Sequence, residues 1–439
     1  MARTMNGSAS ISKAHLFNRA SAAFALVFIL GAQLVRPATS YQDFSQYYMG
    51  ALMARAGLWD SIYPQPLPGS IYNAGWGDQS AVREKYREMG ERHGINEFGF
   101  RFIQSPPVAV VFIPLTFLEH PTAYKVWIAI LSLCTWGIAL QAARVYTIAR
   151  GREDAVAGAI IIVIACSVLA YRAVRVGNVS PVVGLCIGTI ALDLVRPRPR
   201  TRTPGGVLAG AAMTLGALAK YATPVLAPIH VAMKRWSPLL WSAVFMLLIV
   251  LGTFAVSGTA PFKEFATSIA PTLGRSHPHR ANQSVEGLLL RLTARPTLSP
   301  RLNVTMRAAQ IATLAVLLWL IWRVRERLPQ HPPLVFAAAA GLVCWLLIFG
   351  PLYWEHYPVY LCALWGWLAW EARLSMMRLA LVIAAIALAW VPVPAIPGVR
   401  LPEPINSHIL ASTLIILGLS IGRLRVGLAA AGPSPDHPV

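Results

Sequence analysis

Residues 126–152 read VWIAILSLCTWGIALQAARVYTIARGR. The stretch 126–143 carries no charge, and Arg144, Arg150 and Arg152 follow at once. An apolar run of this length approaches the roughly 20 residues a helix needs to cross a bilayer core, and arginine clustered at its end marks the cytoplasmic side. The same couplet recurs downstream. Arg196/Arg198/Arg200/Arg202, Lys234/Arg235, Arg323/Arg325/Arg327, Arg373/Arg378 and Arg423/Arg425 each follow an apolar run.

The whole chain shares this character. Of 439 residues, 56% are hydrophobic and 13% charged, with a mean hydropathy of +0.55, whereas soluble domains carry about 25% charge. A soluble multidomain chain, a disordered chain and a small disulfide scaffold are excluded. Lys and Arg total 38 against 18 acidic residues, a formal +20. Because these cations form short clusters between apolar runs, they follow the positive-inside pattern of a polytopic membrane protein, and no nucleic-acid partner is expected. Cys134, Cys166, Cys186, Cys344 and Cys362 all lie in apolar runs without CxxC spacing and read as small buried hydrophobes.

Apolar runs recur from 20–35 to 409–421. If 108–118, bracketed by Pro106, Pro107 and Pro114, is a re-entrant or half helix, about twelve crossings remain and every arginine cluster lands inside. The expectation is an all-α polytopic membrane protein with both termini cytoplasmic: one integral-membrane catalytic domain over 1–422, outer loops 38–105 and 257–304 on its active side, and a short cytoplasmic tail 423–439. This topology puts 41–105, 172–180, 257–303 and 350–357 outside. Those segments hold the chain's mixed Asp, Glu, His, Asn and Arg residues; the inner loops hold mostly plain arginine.

Five constellations follow from that grouping. In 41–51, YQDFSQYYMGA, Phe44, Tyr48 and Ala51 share one helical face, so the segment is expected to lie along the outer interface with its aromatics at headgroup depth. Asp43 there serves equally as a helix N-cap or as a general base for a hydroxyl, with Tyr47 beside it as a substrate contact. Trp354-Glu355-His356-Tyr357 puts an acid and an imidazole at a membrane boundary, where ionisable groups are costly and often functional; an interfacial salt bridge is the plainer reading. The loop Arg275-Ser276-His277-Pro278-His279-Arg280-Ala281-Asn282-Gln283, with Arg291 beyond it, reads as headgroup attraction or as a phosphate clamp, since arginine offers phosphate a bidentate fork. Arg172 to Ser180, with Arg175 and Asn178, is an arginine-bearing turn between spans. Lys220, in an apolar break before Pro224, either snorkels or aims a cation at an anionic substrate.

The order of these residues resembles glycosyltransferase family 87. The similarity is carried by Asp43-Phe44 with Tyr47-Tyr48 and Gly50-Ala51, Gly57 with Tyr63-Pro64, Ser105-Pro106-Pro107 and Gly177-Asn178. It continues through Lys220 with Pro224, Asn282-Gln283-Ser284 and Trp354-Glu355-His356-Tyr357. The resemblance implies a GT-C-type fold with outer-face interfacial helices in a bacterial inner (plasma) membrane. It implies a polyprenyl-phosphate sugar donor, most naturally mannose, a lipid-linked or glycan acceptor, and catalysis at the extracytoplasmic face among membrane lipids. Asp43 matches the family's catalytic aspartate and His356 its functional histidine near the donor phosphate. The charged segment 66–98 is longer than the family pattern and bears on the acceptor.

The chemistry agrees with that implication. A lipid-phosphate leaving group gains negative charge as the glycosidic bond breaks, so cations belong where it rests; Arg275, His277, Arg280, Arg291, Arg175 and Lys220 are the candidates. Asn178, Asn282, Gln283 and Glu355 are candidate substrate contacts. One carboxylate suffices to deprotonate the acceptor in an inverting transfer with an alpha product. With no DxD sequence in the chain, no metal or other cofactor is expected. The rival from another class is a secondary transporter or lipid flippase, which predicts inverted repeats and midplane charges.

Overall fold

The computed structural model describes residues 5–35, 42–63, 84–95, 102–196, 206–274, 276–279, 281–390 and 407–429. These residues are helical with short connections, and the β-contact among them is one isolated bridge between Asn282 and Trp354. Six helices are long and apolar enough to cross a membrane: Lys13–Gln33, His120–Arg150, Trp236–Ser257, Pro300–Arg323, Pro332–Phe349 and His408–Ala429. A seventh span results if Ala155–Ala165 and Val168–Arg175, bent by 43° at Cys166 and Ser167, are one unit. The expected figure of about twelve also includes the apolar helices Ser180–Val195, Val207–Lys220, Thr223–Ala232 and Met376–Trp390, each shorter than the roughly 20 residues of a perpendicular span, and the run 359–370, which forms two short helices, Val359–Cys362 and Trp365–Glu371. Pro106–Phe117 is likewise short, an α-turn running into 3-10 helix.

Lipid exposure is written on the Trp236–Ser257 helix, of whose most apolar window 6% is buried inside the protein. Leu240, Leu247, Leu248 and Leu251 all face outward, an apolar surface that water does not tolerate and hydrocarbon does. The five cysteines are free.

The long helices give the bundle two chemically distinct ends. His120–Arg150 is 31 residues long, about 46 Å at 1.5 Å per residue. Its first turns touch Phe44 and the Arg175 carbonyl through His120 and Tyr124. At its far end Tyr146 and Asp154 meet Arg373. Ser180–Val195 runs the same way, from Asn178 to Asp193, whose carbonyl accepts from Arg235. The His408–Ala429 helix begins beside Ser407, bonded to Arg291, and carries Arg423 against buried Glu371. The plain arginine clusters therefore gather at one end and the mixed-chemistry segments at the other. The last helix continues past Arg423 to Ala429, so the first residues of the expected tail are helical.

One expectation is corrected. The Gln42–Arg55 helix does not lie along an interface with one aromatic face turned in: every residue from Phe44 to Ala54 is buried. Pro106–Phe117 folds over it, stacking Phe112 on Tyr47 at 4.9 Å and taking the Tyr48 hydroxyl on the Leu118 carbonyl at 2.6 Å. A helix covered on all sides belongs to the core.

Candidate active site

Asp43 lies in the first turn of the Gln42–Arg55 helix. Its backbone N–H donates to the Val176 carbonyl at 3.1 Å, and its carboxylate receives Asn178 Nδ2 at 2.6 Å and Gln46 Nε2 at 3.2 Å. The carboxyl is thus gripped from the turn that follows the Val168–Arg175 helix. Gly177 makes that turn possible: its φ of +70° lies in the left-handed region that glycine favours. A Cβ there would sit 2.8 Å from that of Phe44. Trp127 Nε1 holds the Gly177 carbonyl at 2.8 Å and the Tyr124 hydroxyl holds that of Arg175 at 2.5 Å. Asn178 Oδ1 accepts from the backbone N–H and hydroxyl of Ser180, so the amide's orientation toward Asp43 is fixed.

Lys220 ends the Val207–Lys220 helix and donates from Nζ to the Tyr357 hydroxyl at 3.1 Å, with the ammonium 5.2 Å from that ring's centroid. It acts electrostatically on Asp43 and on His356. The lysine therefore works inside the bundle and does not snorkel outward. Next to Tyr357 in sequence, His356 has its Nε2 buried without a hydrogen-bond partner among the described residues. Glu355 Oε1 pairs with Arg172 at 2.6 Å. Tyr47 is fully buried, and its hydroxyl also has no partner among the described residues.

Burial raises the Asp43 carboxyl above its ordinary 3.8, while the Lys220 ammonium and the bonds from Asn178 and Gln46 oppose that shift without cancelling it. A carboxylate poised in this way binds a proton more readily than a solvated one. Burial, reinforced by Lys220 and Arg172, lowers His356 to about 3. Its imidazole is consequently neutral at working pH. The positive charges acting on it are Lys220 and Arg172.

Of the residues singled out from sequence, Asp43, Tyr47, Asn178, Lys220, Glu355 and His356 come together at this end of the bundle. Arg175 stands at the margin, its guanidinium on the Tyr171 ring and hydroxyl. The loop 276–284 docks on the segment 351–353. Asn282 is fully buried, and its amide nitrogen reaches Ser276, the His277 carbonyl and the Pro351 carbonyl while its oxygen accepts from Ser284 and Tyr353. Gln283 is equally buried and its backbone N–H donates to the Tyr353 carbonyl. Arg291 donates to the His279 and Asn282 carbonyls and to Ser407. His277 and His279 each accept a backbone N–H of their own loop, and the His279 ring lies against Trp354. Asn282 and Arg291 therefore tie this loop to the turn 351–357 and to Ser407 through their own polar atoms. Arg275 and Arg280, most of the 66–98 segment and residues 430–439 lie outside the described residues.

Sequence reasoning missed Arg172, Tyr357 and Gln46 as site residues. Gln46 had a signal, being three residues from Asp43 on one helical face. Arg172 and Tyr357 had none beyond adjacency, because their partners arrive from distant segments.

The sequence profile of glycosyltransferase family 87 matches residues 102–351, more than half of the chain. No curated protein and no solved structure matches it. His356 lies five residues beyond the matched stretch and Asp43 well before it, so the match itself assigns neither residue a role.

Proposed function

The chain belongs to glycosyltransferase family 87, and from that membership we propose that this membrane glycosyltransferase moves a hexose, mannose, from a polyprenyl phosphate to an acceptor hydroxyl with inversion. The family match makes it a transferase; the donor, the acceptor class and the stereochemistry are the proposal. One observation carries it. The Asp43 carboxylate, held at 2.6 Å by Asn178, lies within electrostatic reach of Lys220, which acts on His356 as well.

Asp43 takes the acceptor proton as the acceptor oxygen attacks the anomeric carbon. The bond from that carbon to the phosphate oxygen breaks, and its electron pair leaves with the phosphate. Lys220 is the fixed positive charge toward which the new negative charge develops. His356 offers a neutral ring nitrogen for hydrogen bonding to phosphate or sugar.

A lipid donor is supported by an apolar groove of about 520 Å³ at the 43° bend, lined by Phe28, Ile29, Ala32, Ala165, Val168 and Tyr171. It borders the helix that carries Arg172 and Arg175. Separation of the arginine clusters from Asp43 and its neighbours supports an extracytoplasmic site in a bacterial plasma membrane, since arginine-rich ends face the cytoplasm. A lipid-linked or glycan acceptor follows from that location.

The test is transfer by the purified full-length protein from labelled polyprenyl-phosphate mannose to membrane-lipid and glycan acceptors, with the product's anomeric configuration read by NMR. An alpha-linked product, lost in Asp43→Asn, is the expected result. Normal transfer by a folded Asp43→Asn variant overturns the assignment of the base, and transfer from a nucleotide sugar overturns that of the donor.

A further inference from the structure

We propose that Arg172 is the guanidinium that receives the donor phosphate, and that Glu355 is a resident counter-ion which the phosphate displaces. The inference rests on the lipid-phosphate reading above and adds to it the residue pair that makes room for the anion.

The turn 354–357 presents three consecutive side chains to three surroundings. Glu355 Oε1 meets Arg172 at 2.6 Å, the Tyr357 hydroxyl meets Lys220 Nζ at 3.1 Å, and between them His356 Nε2 is buried without a partner among the described residues. Two cations and one open ring nitrogen thus converge on four residues of chain. Arg172 also belongs to the helix whose C-terminal turn grips Asp43, because its own carbonyl accepts the Val176 N–H and the Val176 carbonyl accepts that of Asp43. Base and guanidinium are set by one rigid piece.

The other arginines at this end of the bundle are committed differently. Arg291 is bonded to backbone carbonyls that its loop needs, and Arg175 rests on Tyr171. Arg172 is bonded to a carboxylate, the group whose two-oxygen edge a phosphate reproduces. That pair is not sealed in: the side chains keep 33% and 26% of their surface. An exchange of one oxyanion for another needs no change of fold.

Charge counting gives the exchange a purpose. With His356 neutral, Lys220 and Arg172 balance Asp43 and Glu355. During transfer the proton goes from the acceptor hydroxyl to Asp43, which becomes neutral, and the electron pair of the broken carbon–oxygen bond goes to the phosphate, which passes from one negative charge to two. Negative charge therefore moves from Asp43 toward the phosphate, and a second cation must be free to follow it. Arg172 released from Glu355 is that cation.

Farnesyl phosphate binding to the full-length protein in nanodiscs tests this, with farnesol as the control that lacks the anion. Arg172→Ala is expected to weaken farnesyl phosphate about tenfold or more, as loss of a charge-assisted pair does, and to leave farnesol unchanged. Glu355→Gln is expected to tighten it about threefold, because the competing carboxylate is gone. A pair that merely ties helix to turn gives losses of the same sign in both variants, and that result overturns the proposal. Should Arg172→Ala fail to fold, Arg172→Lys must still weaken binding while Glu355→Gln strengthens it; parallel shifts overturn it equally. Farnesyl phosphate binding with this asymmetry but without sugar transfer defeats the transferase assignment and leaves the anion site standing. Transfer by wild type with binding indifferent to Arg172 does the reverse.

Discussion

Asn178 Nδ2 lies 2.6 Å from Asp43 Oδ2, joining residues 135 positions apart in the chain, and the amide is itself fixed by Ser180. A hydrogen bond to the charged form favours that form. In Asn178→Ala the carboxyl should hold its proton to higher pH, so the acid limb of kcat/KM is expected to move upward. At about pH 6 the rate should fall about tenfold or more, and the deficit should narrow as pH rises, the size expected for losing a bond to a charged group. A pH–rate profile of the variant beside wild type checks this; superimposed acid limbs refute Asp43 as the base.

The same buried carboxyl is a cost to the fold. A group whose folded pKa lies above its ordinary 3.8 binds its proton more tightly when folded. Its penalty is absent below the unfolded value, grows as pH rises toward the folded value, and stays at full size above that. Asp43→Asn is therefore expected to abolish transfer while raising Tm by a few degrees at about pH 8, with the gain disappearing near pH 4. Differential scanning fluorimetry at the two pH values measures it. A variant that is less stable at both would show that the charge is well compensated.

His356 should not report its own titration near neutrality. Burial, Lys220 and Arg172 hold it at about 3, so no histidine limb is expected in the rate profile between about pH 5 and 8. A neutral hydrogen-bonding role also predicts that His356→Gln retains about tenfold more activity than His356→Ala. Equal losses in the two variants, or a limb near 6.5 that vanishes with the histidine, would refute the neutral role.

Much of this was readable beforehand, and the failures have physical causes. Apolar runs alternating with arginine clusters specified a helical membrane bundle with chemically unlike ends. Asp43, Asn178, Lys220 and His356 declared themselves as polar residues in apolar or boundary contexts, and they do assemble. The Gln42–Arg55 helix was misjudged because a face of Phe and Tyr looks alike whether lipid or protein covers it; the cover, Pro106–Phe117, arrives from far along the chain. The docking of the 276–284 loop was not readable, because arginine and asparagine serve backbone carbonyls as readily as phosphate, and Pro351 and Tyr353, which Asn282 meets, arrive from far along the chain. Crossing number was hard to read because short helices such as Val207–Lys220 carry no length signature of a span.

At the opposite end, Glu371 is fully buried between Arg378 and Arg423, with Arg423 Nε at 2.5 Å from Oε1 and its guanidinium over Trp370. This cluster joins the Trp365–Glu371 and His408–Ala429 helices far from Asp43. Removing one member of a buried ionic group strands the others without a partner, at a cost of about 3–5 kcal/mol. Glu371→Ala is accordingly expected to lower Tm sharply and reduce the yield of folded protein, while material that does fold keeps its donor KM. Glu371→Gln, which retains hydrogen-bonding oxygen but not charge, should fall between the two. Thermal unfolding and donor kinetics on the same preparations separate stability from chemistry: a raised donor KM with unchanged Tm would mean that the cluster takes part in the transfer site instead of locking the bundle's arginine-rich end.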